Sequence, residues 1–320
     1  MRLFPAFLFS VSMALAFASS AYAEIRVLTS IKPLQLIAAA VQDGVGTPDV
    51  LLPPGASPHH FTLRPSDIIR VREADLLYWI GPDLESFLPK VLEGRTDPAL
   101  AVQNIEGLHL RRFGEAHRHE NEHAAEHGHQ EHGDGEVKGE HDDLHRPGAL
   151  DAHLWLEPGN ARLIAAQIAG DLSVADPANA ARYQENLKAF EQRLTALDDV
   201  LKERLKPLAG KPFFVFHEAF DYFEEAYGLK HAGVFAVSAE VPPGARKVAN
   251  MRKRLELAGA SCVFSEPPMQ PRLAQALSEG LPVRLALLDA LGFDVKVDAN
   301  GYERLLMALG NDLADCLERL

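Results

Sequence analysis

The sequence predicts an α/β protein with two lobes joined by one long helix. Short β-rich runs alternate with amphipathic runs in both halves of the chain, a pattern typical of parallel βαβ units. A helical periodicity continues unbroken over residues 176–206, and about thirty residues at about 1.5 Å each span roughly 45 Å, more than one small domain. The length of 320 residues and the apolar fraction of 47% suffice for two domains with real cores.

Residues 1–23 have the features of a secretory signal peptide. Arg2 gives a positive end, residues 3–17 form an apolar run, and a small-x-small cleavage triplet ends at Ala23. The apolar run is short for a membrane span, and no charged stop follows it. We therefore predict cleavage after Ala23 and export of the mature protein.

The N-terminal lobe is predicted over residues 24–175. Its elements are strands at residues 25–30 and 75–81 and helices at 33–41 and 64–74. Residues 115–145 interrupt it with ten Asp or Glu residues and almost no large apolar side chain. Such a segment cannot bury enough surface to offset its ordering entropy, so we predict that it is disordered.

This acidic segment also holds eight of the fourteen histidines, namely His117, His119, His123, His127, His129, His132, His141 and His145. His119 to His123 matches the zinc-protease pattern H-E-x-x-H, but that pattern requires a stable helix, and the segment has no apolar face to dock one. We interpret the segment as an accessory collector that captures zinc through many weak sites. A solvated tether without a metal role is the alternative.

The joining helix is predicted over residues 176–206. Asp176 is a suitable N-cap, Pro177 is tolerated in a first turn, and Pro207 ends the pattern. The C-terminal lobe is predicted over residues 207–320. Its elements are strands at residues 212–217, 260–268 and 283–292, and helices at 218–229, from 271 onward and at 302–320.

Cys262 and Cys316 are the two cysteines of the chain. In an oxidising compartment an even pair suggests one disulfide, which here would fasten the last helix to a strand. Closing this loop contributes about 4 kcal/mol in the chain-entropy model. Two buried free thiols are the alternative.

The formal net charge of −13 argues against nucleic acid as a partner, because phosphate binding needs a concentrated basic face. We expect a monomer that is steered toward a basic surface.

Three of the histidines outside the acidic segment stand where parallel sheets bind ligands, at strand ends or in loops. His59 follows a proline-rich turn, His153 precedes an apolar run, and His217 ends a predicted strand. A lone histidine in such a place is more often structural, but three neutral imidazoles on facing lobes can meet at one divalent metal. His109 and His231 we interpret as structural or surface residues.

The segments around these histidines resemble a known family. "LLPPGASPHHFTLRPSD", "DAHLWLEP" and "FVFHEAFDYFEEAYGL" resemble the three metal-binding motifs of the cluster A-I (zinc and manganese) periplasmic solute-binding proteins of ABC importers. "FSEPPMQP", "LALLDALG" and the long helix match further landmarks of that family. The His-rich acidic insertion is similar to that of the zinc-specific, ZnuA-type branch, whose members also commonly carry the cysteine pair.

The resemblance implies that His59, His153 and His217 bind zinc. His59 rather than His60 fills the motif position, because the family pattern is a histidine, one variable residue and an aromatic residue, here Phe61. Three nitrogen donors suit zinc better than manganese.

The resemblance leaves the fourth ligand open. Asp289 stands where manganese-binding relatives use a carboxylate, whereas Pro58 replaces the carboxylate that some zinc-specific relatives place before the first histidine. Water, Asp289 or a histidine of the acidic segment remain, and we favour water or Asp289. Glu266 and His60 are expected near the site, Glu266 as a carboxylate that hydrogen-bonds a ligand imidazole and His60 as an exposed residue.

The function implied is that of a periplasmic, high-affinity zinc-binding protein that delivers Zn²⁺ to the membrane permease of an ABC importer and catalyses no reaction. One alternative is a manganese or iron carrier with Asp289 and Glu266 as ligands. The other is a zinc hydrolase with three histidines and an open water position, for which the sequence offers neither an evident general base nor a substrate pocket.

Overall fold

The computed structural model of the protein describes residues 25–114, 146–235, 244–267 and 272–320. The predicted signal peptide and the predicted disordered segment 115–145, with its eight histidines, lie outside these ranges. Within them, no helix combines the length and the apolar character that crossing a membrane requires.

The first lobe is a parallel sheet of four strands covered by helices. The strands are β1 (Val27–Thr29), β2 (Asp49–Val50), β3 (Leu76–Trp79) and β4 (Ala99–Ala101), in the order β2-β1-β3-β4. The helices are α1 (Lys32–Val41), α2 (Pro65–Glu73), α3 (Pro89–Leu92) and α4 (Pro158–Ala175). Each of these helices has a proline in its first turn. A backbone N–H in the first turn has no intrahelical acceptor, so the proline costs the helix no hydrogen bond.

A long helix, α5 (Ala180–Leu205), follows and runs along both lobes. Its 26 residues span about 39 Å. A 3₁₀ turn, Pro177–Asn179, precedes it, so the helix proper begins four residues after the predicted start at Asp176. The Asp176 carboxylate accepts hydrogen bonds from the side chains of Asn179 and Tyr183, which hold this tighter first turn in place.

The second lobe repeats the architecture of the first. Its strands are β5 (Phe213–Val215), β6 (Gly233–Val234), β7 (Ser261–Ser265) and β8 (Val283–Leu287), all parallel in the order β6-β5-β7-β8. Its helices are α6 (Asp221–Tyr227), α7 (Ala245–Ala258), α8 (Arg272–Ser278) and α9 (Gly301–Leu317). The predicted fold class, two α/β lobes with a long joining helix, is confirmed.

The two lobes share one hydrophobic core. A continuous cluster of buried apolar side chains extends from β1 and α1 through α5 to α9, and a smaller cluster lies between the second sheet and helices α7 and α8. Polar contacts follow the same path along α5: Asn186 donates to the carbonyl of Val41 at 2.9 Å, and Arg193 Nε lies 2.7 Å from Glu303 Oε1. The joining helix is therefore packed against both lobes over its length.

The predicted disulfide between Cys262 and Cys316 is confirmed. It joins β7 to α9, with the two Cα atoms 6.2 Å apart. Both side chains are buried. The bond thus fastens the last helix to the second sheet, as the sequence predicts.

Glu85 is a buried carboxylate at the carboxyl edge of the first sheet. It accepts hydrogen bonds from the Ser30 hydroxyl, from the Ile80 amide at 3.2 Å and from the Gly81 amide at 3.0 Å. Its exposed fraction is 0%. Burial raises the pKa of the Glu85 carboxyl to about 7, although these hydrogen bonds act in the opposite direction.

This shift makes the stability of the metal-free protein depend on pH. Between the ordinary pKa of 4.5 and the folded value of about 7, the folded state binds a proton that the unfolded state releases. Stability therefore falls as the pH rises through this range. Because glutamine does not titrate, we expect the stability of Glu85→Gln relative to the parent protein to rise by up to about 3 kcal/mol between pH 4 and pH 8.

Urea unfolding of both proteins at pH 4, 6 and 8 measures this difference. Burial also raises the pKa of Asp151 to about 7 and that of Asp221 to about 6. Both proteins contain these two carboxyls, so their titration cancels when the free energies of unfolding of the two proteins are subtracted. The pH dependence of that difference therefore reports Glu85 alone. A difference that stays constant with pH would contradict the assignment.

Candidate metal centre

His59 is carried by the loop between β2 and α2 in the first lobe. Beyond β2 the chain stays bonded to the end of β1 through the amides of Leu51 and Leu52. Residues 53–58 then turn it, with Gly55 at φ 83°, a conformation that glycine adopts without steric cost. The turn leaves His59 half-buried beyond the carboxyl ends of the first sheet.

His153 is held by a short, fully buried turn before α4. The 3₁₀ turn Leu154–Leu156 follows it directly, and all three side chains of this turn are buried. On the other side, the Asp151 amide donates to the Arg111 carbonyl at 2.9 Å and so ties the turn to the chain that precedes residue 115. His153 itself is 2% exposed.

His217 lies two residues past the end of β5 in the second lobe. The Phe216 amide still donates to the Phe264 carbonyl at 3.1 Å, so the strand pairing continues up to the histidine. The chain then turns before α6 begins at Asp221. His217 is 7% exposed and points from the carboxyl edge of the second sheet toward the first lobe's two histidines.

The structure brings these three histidines together. Their ring centroids are 5.4 Å apart for His59 and His153, 5.3 Å for His59 and His217, and 4.9 Å for His153 and His217. One nitrogen of each ring lies within 4.8 Å of the others, and no other three His, Cys, Asp or Glu residues in the described part of the chain meet this condition. Nitrogens at 2.0–2.1 Å from one tetrahedral zinc are about 3.4 Å apart, so a cluster of this size fits one ion.

Two carboxylates contact the far sides of these rings. Asp151 Oδ1 lies 2.8 Å from Nδ1 of His153, and Glu266 Oε1 lies 3.1 Å from Nδ1 of His217. The contact of Glu266 is the one expected from the sequence. Asp151 is missing from the sequence prediction, and the Asp-x-His spacing is the only local signal that could have suggested it. In both pairs the carboxylate contacts Nδ1, and Nε2 is the ring nitrogen that it does not contact.

Asp289 does not join the cluster. Its carboxylate accepts backbone hydrogen bonds from Leu291 at 3.1 Å, Gly292 at 2.8 Å and Phe293 at 2.6 Å, which organise the turn after β8. Burial raises the pKa of the Asp289 carboxyl, against the effect of these amides. Its role as a fourth ligand stays a prediction.

The remaining histidines of the described ranges lie outside the cluster. His60 is exposed, with its ring centroid 6.5 Å from that of His59. His231 Nδ1 lies 2.9 Å from Glu224; burial acts to lower the pKa of this imidazole, but the hydrogen bond and the charge of Glu224 raise it overall. His109 Nε2 lies 3.8 Å from Glu225 on α6.

The turn that carries His153 is bonded to the opposite lobe. Trp155 Nε1 donates to the Ala290 carbonyl at 2.9 Å, and the Tyr302 hydroxyl donates to the Trp155 carbonyl at 2.6 Å. The Tyr222 hydroxyl donates to the Asp151 carbonyl at 2.9 Å. His153 belongs to the first lobe by sequence, yet its turn is fixed to the second.

Two parallel α/β lobes, a shared long helix and three imidazoles between the lobes define a metal-binding protein of the two-lobed solute-binding class. Residues 27–316 match the family described as zinc-uptake complex component A, periplasmic (ZnuA). The high-affinity zinc uptake system protein ZnuA of Brucella suis is 38% identical over 309 residues, which cover 92% of each chain. The chain therefore belongs to the ZnuA family.

Solved structures share its fold. A zinc-bound deletion mutant of ZnuA matches with a TM-score of 0.70 at 21% identity, over 92% of this chain and 98% of that one. The solute-binding protein FpvC of Pseudomonas aeruginosa, in complex with Mn²⁺, matches with a TM-score of 0.73 at 18% identity, over 93% and 99%. The fold thus occurs in proteins solved with either metal, so the choice of metal has to be argued from the donor atoms.

Proposed function

We propose that this protein binds Zn²⁺ with high affinity in the periplasm and delivers it to the membrane permease of an ABC importer. The observation that carries the proposal is the cluster of His59, His153 and His217, with one nitrogen of each within 4.8 Å of the others. Membership of the ZnuA family supports the same function. Export with cleavage after Ala23, action as a monomer and zinc capture by the histidines of residues 115–145 belong to the proposal.

The three imidazoles act as the ligands, and water or Asp289 completes the shell. Imidazole nitrogen suits zinc, whereas manganese prefers carboxylate and water oxygen. In their ionised forms Asp151 and Glu266 place negative charge behind two of the rings, which favours a divalent cation without occupying its coordination positions. No reaction is catalysed in this account, since zinc is the cargo.

Release to the permease needs only a small distortion of this shell. The continuous core and the hydrogen bonds between the His153 turn and the second lobe oppose a wide separation of the lobes. Zinc–nitrogen bonds are only about 2.0–2.1 Å long, so a small shift of one imidazole weakens the site, and docking can release zinc without opening the molecule.

Metal competition tests the choice of zinc over manganese or iron. We expect zinc to remain bound to the mature protein when Mn²⁺ or Fe²⁺ is present in thousandfold excess, because the donors are nitrogen atoms. Equilibrium dialysis with elemental analysis measures the retained zinc. Displacement of zinc by Mn²⁺ would favour the alternative in which Asp289 and Glu266 are ligands.

Zinc affinity is expected to fall as the pH decreases through the histidine range. Each ligand must lose its proton before it can bind, and an ordinary imidazole has a pKa of about 6.5. Below that pH, affinity should fall by up to about tenfold per pH unit for each imidazole that must deprotonate. Competition with a chelator of known pH dependence, between pH 5 and 8, measures the slope. A flat profile would exclude imidazole ligands.

A further inference from the structure

We infer that Asp151 is a positioning residue that fixes the tautomer and the direction of the His153 imidazole for the metal. The inference rests on the proposed function, because it assigns a new role at the same site. It concerns a residue inside the motif that carries His153, to which the sequence analysis gave no role.

The contact between the two side chains has the geometry that this role requires. Asp151 Oδ1 lies 2.8 Å from His153 Nδ1, and the side chains of the two residues are only 2% and 3% exposed. When Asp151 is ionised its carboxylate can only accept, so at this contact the neutral imidazole donates its Nδ1–H and carries its lone pair on Nε2. The opposite tautomer would place a proton where the metal must bind.

Asp151 is itself held on three sides. Its amide donates to the Arg111 carbonyl at 2.9 Å, its carbonyl accepts from the Tyr222 hydroxyl at 2.9 Å, and its Oδ1 also accepts from the His153 amide at 3.1 Å. The carboxylate cannot shift without breaking one of these bonds. The direction of the His153 ring is therefore set before any metal arrives.

Stability alone does not account for a carboxylate at this position. Removing a charged group from water is unfavourable, and a buried charged pair is often no more stable than well-packed apolar residues in place of both partners. Glu266 holds His217 in the same way from the second lobe, but its side chain is 18% exposed and its contact is 3.1 Å. Asp151 is the more deeply buried of the two and so the one with the stronger influence on its imidazole.

Zinc titration of Asp151→Ala and Asp151→Asn tests the inference. We expect Asp151→Ala to lose 10- to 100-fold in zinc affinity, the usual effect of removing a carboxylate behind a ligand imidazole, and Asp151→Asn to lose less because its amide oxygen can still accept. Asp151→Ala is expected to lower the urea midpoint of the metal-free protein, because two buried donors of His153 lose their acceptor, so the titrations are made where circular dichroism shows each variant to be folded. Glu85→Gln, an equally buried acid-to-amide change at a carboxyl that is hydrogen-bonded to Ser30, Ile80 and Gly81, is the matched control and should retain full affinity.

Imidazole ¹⁵N NMR of the metal-free proteins measures the tautomer of His153. This tautomer would not change if Asp151 only stabilised the fold. His153 should be the Nδ1–H tautomer in the parent protein and a mixture of tautomers in Asp151→Ala. Full zinc affinity in Asp151→Ala, or lost affinity with an unchanged tautomer, would overturn the inference. His153→Ala, titrated beside it, separates the two proposals: if it also binds zinc tightly, the ligand set itself is wrong.

Discussion

Zinc affinity is expected to fall about 100- to 1,000-fold when His153 or His217 is replaced by alanine. The total binding free energy of a structural zinc site is about 10–16 kcal/mol, and one of three or four ligands carries roughly 3–4 kcal/mol of it. Both rings are buried and both are held by carboxylates, so each substitution removes a donor that is already fixed in place. Competition titration with a zinc chelator measures the loss.

His60→Ala is the matched control for this prediction. His60 is adjacent to His59 in the chain but is exposed, and it lies outside the cluster of three. We expect His60→Ala to keep the parent affinity and His59→Ala to lose it. An equal loss in both variants would mean that the first ligand has been assigned to the wrong histidine.

Removal of the disulfide is expected to lower the free energy of unfolding by about 4 kcal/mol. Cys262→Ala/Cys316→Ala releases the loop between β7 and α9 in the unfolded state, and alanine leaves no polar group in the buried positions. Urea unfolding of the double variant against the oxidised parent measures the loss, and the reduced parent should behave like the variant.

Zinc affinity of this variant should remain. Cys262 lies four residues before Glu266, which is about 13 Å along an extended strand, so the bond and the imidazoles are at opposite ends of β7. Loss of the zinc site together with the disulfide, under conditions where the protein is folded, would show that the bond organises the cleft and not only the last helix.

The fold could be predicted where its signal is local. The alternation of strands and helices and the periodicity of α5 are visible in short windows of sequence, and both are present in the structure. Helix α7 could not be predicted in this way. Six of its fourteen residues are charged, and the stripe that faces the smaller core is narrow, with Met251 and Leu255 buried and Val248 and Ala258 partly buried.

Only part of the metal site could be predicted from the sequence. Motif resemblance selects His59, His153 and His217, but their convergence depends on how two lobes meet, which no spacing along the chain encodes. Asp151 was missed because its role is a contact within a folded turn. Asp289 stands at a motif position, yet the backbone of its own turn holds its carboxylate outside the cluster.

Calorimetric zinc titration of three proteins tests the central claim most directly: residues 24–320, the same chain without residues 115–145, and the same chain with His59, His153 and His217 all replaced by alanine. We predict one tight site in the first two proteins and none in the third. If the tight site instead disappears with residues 115–145 and persists in the triple variant, the conspicuous histidines carry the function and the cluster between the lobes does not.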